Sequence, residues 1–354
     1  MKSTYYFRDR PLFGLDIGTG TLRVLQVSGQ PGKYKISAYG AANFDVKHTK
    51  NGVITEPQAV ANSYKQMLNT NTRGKIDTSR VAISLPAKRA YSRAIKLPKL
   101  KSEELEAAIY MEAEQYIPFS INSLYLDYSI IRETDTEIEV FIVAAPKTII
   151  DSYLELTNIL KIEPVLIETS IDSASRLFSQ THFKDQASVL VDFGQESVDI
   201  TVVDKIILAT GTVGGGSNAF TSKISQELGI SPQEAHEIKN KYGLNQSNQQ
   251  DAITMALDPQ LELLYKEIRR MIRYFTERSA NTQKINQIVI MGNGANLPGL
   301  ADRMTEALQI PVQLADPWQA FGYSHGLQQI PVEARSSFIT SAGLAIAPPK
   351  GLFI

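Results

Sequence analysis

The stretch "LVDFGQESVDI" at residues 190–200 interrupts a buried strand pattern with a charge and a glycine. Apolar residues precede and follow the interruption, while Asp192 and Gly194 stand at its centre. An earlier stretch, "FGLDIGTGTLRVLQV" at residues 13–27, repeats the arrangement around Asp16. Each stretch predicts a strand, a tight turn bearing a carboxylate, and a second strand. Because the device occurs twice, we expect a duplicated α/β architecture with two lobes.

Strand and helix patterns along the rest of the chain suggest where these lobes begin and end. The stretch at about 86–145 reads strand, helix, strand, strand, which we interpret as a small inserted subdomain, and residues 231–279 read as helical throughout. We therefore expect four subdomains. They are residues 1–85 with 146–185 as the first lobe, 86–145 as the inserted small α/β subdomain, 186–215 with 281–354 as the core of the second lobe, and 216–280 as a mostly helical subdomain.

Composition excludes several classes of function. The 354 residues carry a net charge of −1, so no overall basic field attracts nucleic acid. Cysteine is absent, which removes disulfides, thiolate metal sites and cysteine nucleophiles together. No stretch approaches the roughly 18 apolar residues that a membrane span requires. We expect a cytoplasmic protein.

The two turns have the chemistry of a site for a metal-bound nucleotide. A carboxylate at the end of a strand is well placed to hold Mg²⁺, directly or through water, which makes Asp16 and Asp192 the candidate metal ligands. Small residues in a turn let backbone N–H groups and hydroxyls approach phosphate oxygens closely. The candidate phosphate-binding residues are Gly18, Thr19, Gly20 and Thr21 in the first turn, and Gly194, Gln195, Glu196 and Ser197 in the second.

Two more glycine loops could complete such a site. In "VIMGNGANLPG" at 289–299, a flat adenosine could lie against bare backbone after a strand. In "TVGGGSNAF" at 212–220, the glycines lead into a helix N-terminus, which favours anions. The candidate residues are Gly292, Asn293, Gly294 and Asn296 for the adenosine, and Gly214, Gly215 and Gly216 for the sugar and phosphate.

Two other interpretations start from the same residues. The glycine loop before residue 217 also fits a dinucleotide-binding G-x-G-x-x-A pattern, but that interpretation leaves both aspartate turns unexplained and helices follow where a parallel strand is needed. A nuclease using Asp16, Asp192 and Asp199 is conceivable, although the neutral net charge gives no help in holding a polyanion.

The order of the loops, D-x-G-T, D-x-G and G-x-G-A, resembles the actin, Hsp70 and sugar-kinase superfamily. Within it, "EAEQYIPFSINSLYLDY" at 112–128 resembles a signature of the PilM family of type IV pilus assembly proteins. The motifs "VDFGQES", "AHEIKNKYG", "GNGANLPGL" and "DPWQAF" are similar to that family as well. The resemblance extends over essentially the whole chain.

The resemblance implies an actin-like, ribonuclease-H-like fold related to FtsA, in which residues 86–145 form an SHS2-type small subdomain. It implies ATP and Mg²⁺ as cofactors, Lys239 among the nucleotide-binding residues, and little or no ATP hydrolysis. The implied partner is the cytoplasmic N-terminal tail of PilN, bound near the junction of the inserted subdomain with the first lobe. Through PilN and PilO, the chain would be linked to the membrane, the pilus motor ATPases and the platform protein.

Three functions follow as hypotheses. The first is a nucleotide-gated scaffold, in which ATP biases lobe orientation and so alters a groove for a partner peptide. The second is a sugar-kinase-type phosphotransferase, which needs a carboxylate base such as Glu196 or Glu168. The third is an FtsA-like division or filament protein.

Overall fold

The computed structural model describes residues 11–30, 32–179, 186–204, 206–278, 284–315, 318 and 321–348. Of the "DPWQAF" motif, only Trp318 and Phe321 fall within these ranges.

The strands of the described ranges are β1 (Phe13–Ile17), β2 (Thr21–Ser28), β3 (Tyr34–Asn43), β4 (Thr49–Lys50), β5 (Val53–Ile54), β6 (Thr72–Gly74), β7 (Arg80–Leu85), β8 (Tyr91–Pro98), β9 (Leu124–Glu133), β10 (Glu137–Pro146), β11 (Glu163–Thr169), β12 (Ser188–Phe193), β13 (Ser197–Asp204), β14 (Ile206–Gly214), β15 (Gln287–Met291), β16 (Val312–Leu314) and β17 (Phe321–Tyr323). The helices are α1 (Pro57–Thr70), α2 (Ser102–Tyr116), α3 (Lys147–Leu160), α4 (Ser170–Phe178), α5 (Ser217–Leu228), α6 (Pro232–Lys241), α7 (Gln250–Arg278), α8 (Leu300–Leu308), α9 (Val332–Arg335) and α10 (Ile339–Ala345).

The chain divides into two compact units. The first unit holds residues 1–173, 323–327 and 340–354, and the second holds residues 174–322 and 328–339. The four-subdomain division predicted from the sequence is finer than this grouping and stays a prediction.

The main sheet of the first unit brings the first aspartate turn to one edge. Strand β1 pairs antiparallel with β2 and parallel with β7, with Leu15 opposite Ile83. Strands β3 and β11 extend the sheet on the two sides, and α1 and α3 pack on one face. Because β1 and β7 run in the same direction, their carboxyl ends meet at one edge. The residues that follow Leu15 and Ile83 are therefore neighbours.

A separate three-stranded sheet lies in the predicted inserted segment. Its order is β8-β10-β9, and both pairings are antiparallel. Helix α2 buries Leu105, Ile109 and Ala113 against it. These three residues recur at four-residue spacing, which places them on one face of the helix.

The second unit repeats the device of the first. Its sheet has the order β14-β13-β12-β15-β16, and β12 pairs antiparallel with β13 and parallel with β15. Helices α5, α7 and α8 cover this sheet through apolar side chains that include Phe220, Ile268 and Met304. Each unit therefore contains the strand–turn–strand hairpin that the repeated sequence pattern predicts, and in each unit a parallel strand flanks it.

The helical stretch predicted for residues 231–279 is wrong in one place. Helix α6 ends at Lys241 and α7 begins only at Gln250. Between them, Gly243 has a φ of 53°, which is a left-handed conformation that favours glycine, and the Leu244 N–H donates to the Pro298 carbonyl at 2.8 Å. A bond to another segment replaces the helical bond and ends the helix.

Helix α10 belongs largely to the first unit, although it comes at the end of the described chain. Leu344 is fully buried with Leu12 and Ala82. A Cβ atom added at Gly14 would lie 2.1 Å from the Ser341 carbonyl oxygen, so α10 approaches β1 more closely than a side chain would allow. None of the helices in the described ranges is both long and apolar enough to span a bilayer.

The substitution Leu344→Ala tests the contribution of α10 to the first unit. It removes a fully buried side chain, so we expect a loss of about 2–5 kcal/mol of stability, seen as a lower midpoint of thermal unfolding. The control Ile130→Ala, at a side chain that is 51% exposed, should change stability by less than about 0.5 kcal/mol. Equal midpoints for the two variants would contradict the packing of α10 on β1.

Candidate functional site

The first candidate metal ligand, Asp16, lies on β1 at the edge described above. Its Oδ1 accepts a hydrogen bond of 2.7 Å from Ser84 Oγ, which is on β7. Its Oδ2 lies 3.7 Å from Nη1 of Arg23, and both side chains are largely buried. The parallel pairing of β1 with β7 thus holds the carboxylate in a fixed orientation.

The turn after β1 is closed by its own backbone. The Gly18 N–H donates to the Thr21 carbonyl at 2.9 Å, and Thr21 Oγ1 accepts from Arg23 Nη1 at 3.0 Å. Within the described part of the chain, the N–H groups of Thr19 and Gly20 have no hydrogen-bond acceptor. Two successive unpaired amides are the donors that a phosphate oxygen would use.

The turn after β12 is held by the segment that begins α5. Its carbonyls at Gly194, Gln195 and Glu196 accept bonds of 2.9, 3.0 and 2.9 Å. The corresponding donors are the N–H groups of Ser217, Asn218 and Gly215. Three backbone bonds therefore tie the aspartate turn to the glycine loop.

This second turn also has two unpaired amides. Over the described ranges, the N–H groups of Gln195 and Glu196 donate to no protein acceptor. Because the carbonyls of these two residues accept bonds from the start of α5, only their N–H groups remain available to a ligand. The two aspartate turns match in this respect.

The predicted anion site at the N-terminus of α5 stays a prediction. The amides of Ser217 and Asn218 donate to the carbonyls of the aspartate turn and are not available to an anion. Among the residues that the structure describes, the Gly216 N–H has no hydrogen-bond acceptor, so it joins the amides of the turn as a donor for a ligand.

Glycine is required where the loop meets the turn. A Cβ atom added at Gly216 would lie 2.3 Å from the Gly194 carbonyl oxygen and 2.8 Å from the Ser197 nitrogen. By contrast, a Cβ atom at Gly214 would meet nothing within 4 Å. Only glycine at 216 lets the two backbones approach closely enough for the three bonds.

The loop after β15 packs against the same turn. Gly292 has a φ of 83° and lies against the Asp192 carboxylate and the Phe193 carbonyl. Gly294 is buried, and a Cβ atom there would lie 2.9 Å from the Phe193 Cβ and 3.3 Å from the Ser217 Cβ.

The two predicted asparagines of this loop differ in their surroundings. Asn293 is exposed, while Asn296 donates its side-chain amide to the Glu333 carbonyl and to Ser336 Oγ, each at 2.8 Å. Asn296 thereby fixes the loop to the segment around α9.

Lys239 lies on α6 and is only 4% exposed. Its Nζ donates to the Ser217 carbonyl at 3.1 Å, to Ser217 Oγ at 2.8 Å and to Thr221 Oγ1 at 2.8 Å. Burial lowers the pKa of this amine to about 8. An ammonium group is therefore held among neutral oxygens at the first turn of α5.

An open surface groove of about 540 Å³ lies between α5 and α6. It is lined by polar side chains that include Asn218, Thr221 and His236. The exposed His236 ring lies 3.0 Å from the Asn240 amide through its Nε2.

The second unit thus brings the aspartate turn, Gly294 and Lys239 together around Ser217. That residue contacts the aspartate turn through its N–H, Gly294 through its Cβ, and Lys239 through its hydroxyl and carbonyl. In the first unit, Asp16 and the turn at 18–21 form a second group. No set of three or more His, Asp or Glu side chains that could hold a metal ion occurs in the described ranges.

Sequence reasoning missed Ser217, Thr221, Ser84 and Arg23. Ser217 had a visible signal, because it follows three glycines at the start of a predicted helix. Ser84 could be found only by pairing β7 with β1. Of the residues considered for other chemistry, Asp199 accepts a hydrogen bond of 2.7 Å from Thr212 Oγ1 on the neighbouring strand.

Solved structures with a similar fold were found over nearly the whole chain. A chain of a PilM–PilN type IV pilus biogenesis complex matches with a TM-score of 0.83 at 24% identity, covering 96% of this chain and 99% of that chain. MreB5 of Spiroplasma citri bound to AMPPNP matches with a TM-score of 0.52 at 13% identity, over 95% of each chain. The ethanolamine utilization protein EutJ of Carboxydothermus hydrogenoformans has a TM-score of 0.52 at 14% identity, covering 96% of this chain and 90% of that chain.

These likenesses confirm the actin-like α/β fold predicted from the sequence. A family model for type IV pilus assembly protein PilM matches residues 14–348. The match includes both aspartate turns, the segment at 86–145 and the loop after β15, so the chain belongs to the PilM family of type IV pilus assembly proteins.

Proposed function

We propose that the chain is a nucleotide-binding scaffold of type IV pilus assembly that binds ATP with Mg²⁺ and the cytoplasmic tail of PilN. The unpaired amides in the two aspartate turns are the observation that carries the nucleotide part. The MreB5 structure, which shares this fold, is bound to AMPPNP, an ATP analogue.

Each turn carries donors and a carboxylate of the kind that a nucleotide with its metal ion would use. Phosphate oxygens would accept from the amides of Thr19 and Gly20 and from those of Gln195 and Glu196. The carboxylates of Asp16 and Asp192 would hold Mg²⁺ directly or through water, since this ion is commonly bound by one or two carboxylates together with substrate phosphates.

Other residues of the second unit would hold the rest of the nucleotide. Gly214, Gly215 and Gly216 would lie along the sugar and phosphate, and Lys239 would act through Ser217, to which its Nζ donates. The loop from Gly292 to Asn296 would support the adenosine, where Gly294 has no side chain to separate a flat ring from the backbone.

We propose no residue as a catalytic base. We therefore assign to the chain nucleotide binding with weak or no ATP hydrolysis. A phosphotransferase needs a carboxylate fixed on an acceptor hydroxyl. Glu196 is exposed in the turn, and its own amide is proposed to bind phosphate. A binding protein needs only the amides and the carboxylates.

The proposed partner is a PilN tail, because the PilM relative of similar fold was solved as a complex with PilN. We place the tail near the junction between the three-stranded sheet and α3. Tyr125 of β9 is 44% exposed there, its hydroxyl lies 3.1 Å from Asp151 Oδ1, and Lys147 Nζ lies 5.5 Å from its ring centre. An exposed tyrosine held by two helix side chains is a rigid anchor for a peptide.

The scaffold role follows from this partner. PilN would bring the chain to the membrane, and the chain would in turn contact the pilus motor ATPases and the platform protein. Because ATP binding would bias the conformation of the chain, it would change the affinity for the tail without any need for turnover.

The substitution Gln195→Pro tests the amide donors directly. Proline removes the N–H but keeps the carbonyl that accepts from Asn218, whereas Gln195→Ala keeps both groups. We expect Gln195→Pro to weaken Mg-ATP binding at least tenfold in calorimetric titration, and Gln195→Ala to stay within about threefold of wild type. Wild type should also bind ATP more weakly in EDTA, because the two carboxylates then lack their ion.

Thermal unfolding of both Gln195 variants establishes that they fold. The pair Thr19→Pro and Thr19→Ala repeats the comparison in the first unit if the proline at 195 disturbs its turn. Proline variants that fold and bind Mg-ATP as tightly as the alanine variants would refute the assignment of phosphate to these amides.

A second titration tests the partner site. A synthetic peptide with the sequence of the PilN N-terminal tail should bind wild type more tightly with Mg-ATP than without it. Tyr125→Ala should lose about tenfold in peptide affinity, since it removes the aromatic anchor. Tyr110→Ala, at a tyrosine of α2 that is 37% exposed, is the matched control and should bind as wild type does. Equal losses in both variants would count against the junction as the binding surface.

A further inference from the structure

Lys239 carries a buried charge that the protein does not neutralise. All three Nζ donors are directed at uncharged oxygens of Ser217 and Thr221. In the described part of the chain, no carboxylate lies within 4 Å of this nitrogen. Buried lysines are normally paired with an acid, because an unpaired buried charge is costly.

The charged groups on the neighbouring segments point elsewhere. Glu234 of α6 accepts from Ser231, and His236 contacts Asn240. Burial is the cause of the lowered pKa of Lys239, with no contribution from a charged neighbour. The remaining charged groups of α5, α6 and the second aspartate turn are exposed or, for Asp192, partly exposed: Lys223, Glu227, Glu237, Lys241, Glu196 and Asp192.

The position of the ammonium group makes the charged form of Lys239 less favourable still. It contacts the first turn of α5, where the helix dipole is positive, so the two charges repel. A phosphate-bearing ligand at the neighbouring aspartate turn would compensate both. Ser217 connects Lys239 to the aspartate turn directly. Its hydroxyl accepts from Lys239, and its N–H donates to the Gly194 carbonyl.

We propose that Lys239 is a positioning residue that couples nucleotide binding to proton uptake. When charged, it holds Ser217 and Thr221, and therefore the start of α5, against the aspartate turn whose amides receive the phosphates. The bound anion favours the charged form of Lys239, and the charged form favours the bound anion. The inference rests on the proposed nucleotide site.

The direction of the pH effect follows from this coupling. The pKa of Lys239 is about 8 without ligand and rises towards its ordinary value when an anion binds. Between these values, the bound state holds more protons than the free state, so affinity falls as pH rises. Between pH 7.5 and pH 9, we expect Mg-ATP affinity to fall roughly tenfold.

Proton uptake on nucleotide binding is measured directly by calorimetric titration of wild type with Mg-ATP at pH 8.5, in two buffers that differ in ionisation enthalpy. The inference predicts different apparent enthalpies, corresponding to an uptake of roughly 0.7 proton per nucleotide. Equal enthalpies in the two buffers would overturn it. Absence of binding in both buffers and at pH 7.5 would instead overturn the proposed nucleotide site.

Variants separate this role from a purely structural one. Lys239→Arg keeps a positive charge at every pH used, so it should bind Mg-ATP with an affinity that is flat from pH 7.5 to pH 9. Lys239→Met should bind weakly and equally at both pH values. Lys223→Met, at an exposed lysine of α5, should keep the wild-type slope. A wild-type slope in Lys239→Arg would contradict the inference, and circular dichroism establishes that each variant is folded.

Discussion

Three backbone hydrogen bonds between the turn at 194–196 and the start of α5 are the constraint on which the second unit depends. They use the carbonyls of the turn and the N–H groups of Gly215, Ser217 and Asn218. Over the described ranges, the turn's own amides at Gln195 and Glu196 are left without an acceptor. Gly216 makes the contact possible, because a side chain there would collide with the Gly194 carbonyl. The proposed phosphate site is thus a turn tied to a helix by backbone bonds that are present without a ligand.

In the first unit, different contacts hold the aspartate turn and its carboxylate. Its turn at 18–21 closes on itself, and the carboxylate of Asp16 is oriented by Ser84 and Arg23. In both units the carboxylate stands at the end of a strand that has a parallel neighbour, β7 in one case and β15 in the other. Because parallel strands end at the same edge, the neighbouring strand delivers the residues that support the aspartate: Ser84 in the first unit and Gly292 in the second.

Local features of the fold were predictable from the sequence, whereas contacts between distant segments were not. Alternating apolar residues around Asp16 and Asp192 indicate hairpins, and the helix at 217–228 follows directly from its periodicity. The role of Ser217 depends on α6 placing Lys239 next to it, and no local pattern encodes that contact. The interruption at 242–249 also escaped prediction, since it depends on a bond from Leu244 to Pro298. The bonds from the Ser217 and Asn218 amides to the aspartate turn were not predictable either, because they join two segments more than twenty residues apart.

Hydrogen–deuterium exchange with and without Mg-ATP tests most directly whether the unpaired amides bind phosphate. We expect saturating Mg-ATP to slow exchange in peptides covering residues 16–21 and 192–197, EDTA to reduce this protection, and α2 to exchange at an unchanged rate. Unchanged exchange in both turns at a nucleotide concentration that saturates binding would contradict the account, because the phosphates would then be held elsewhere.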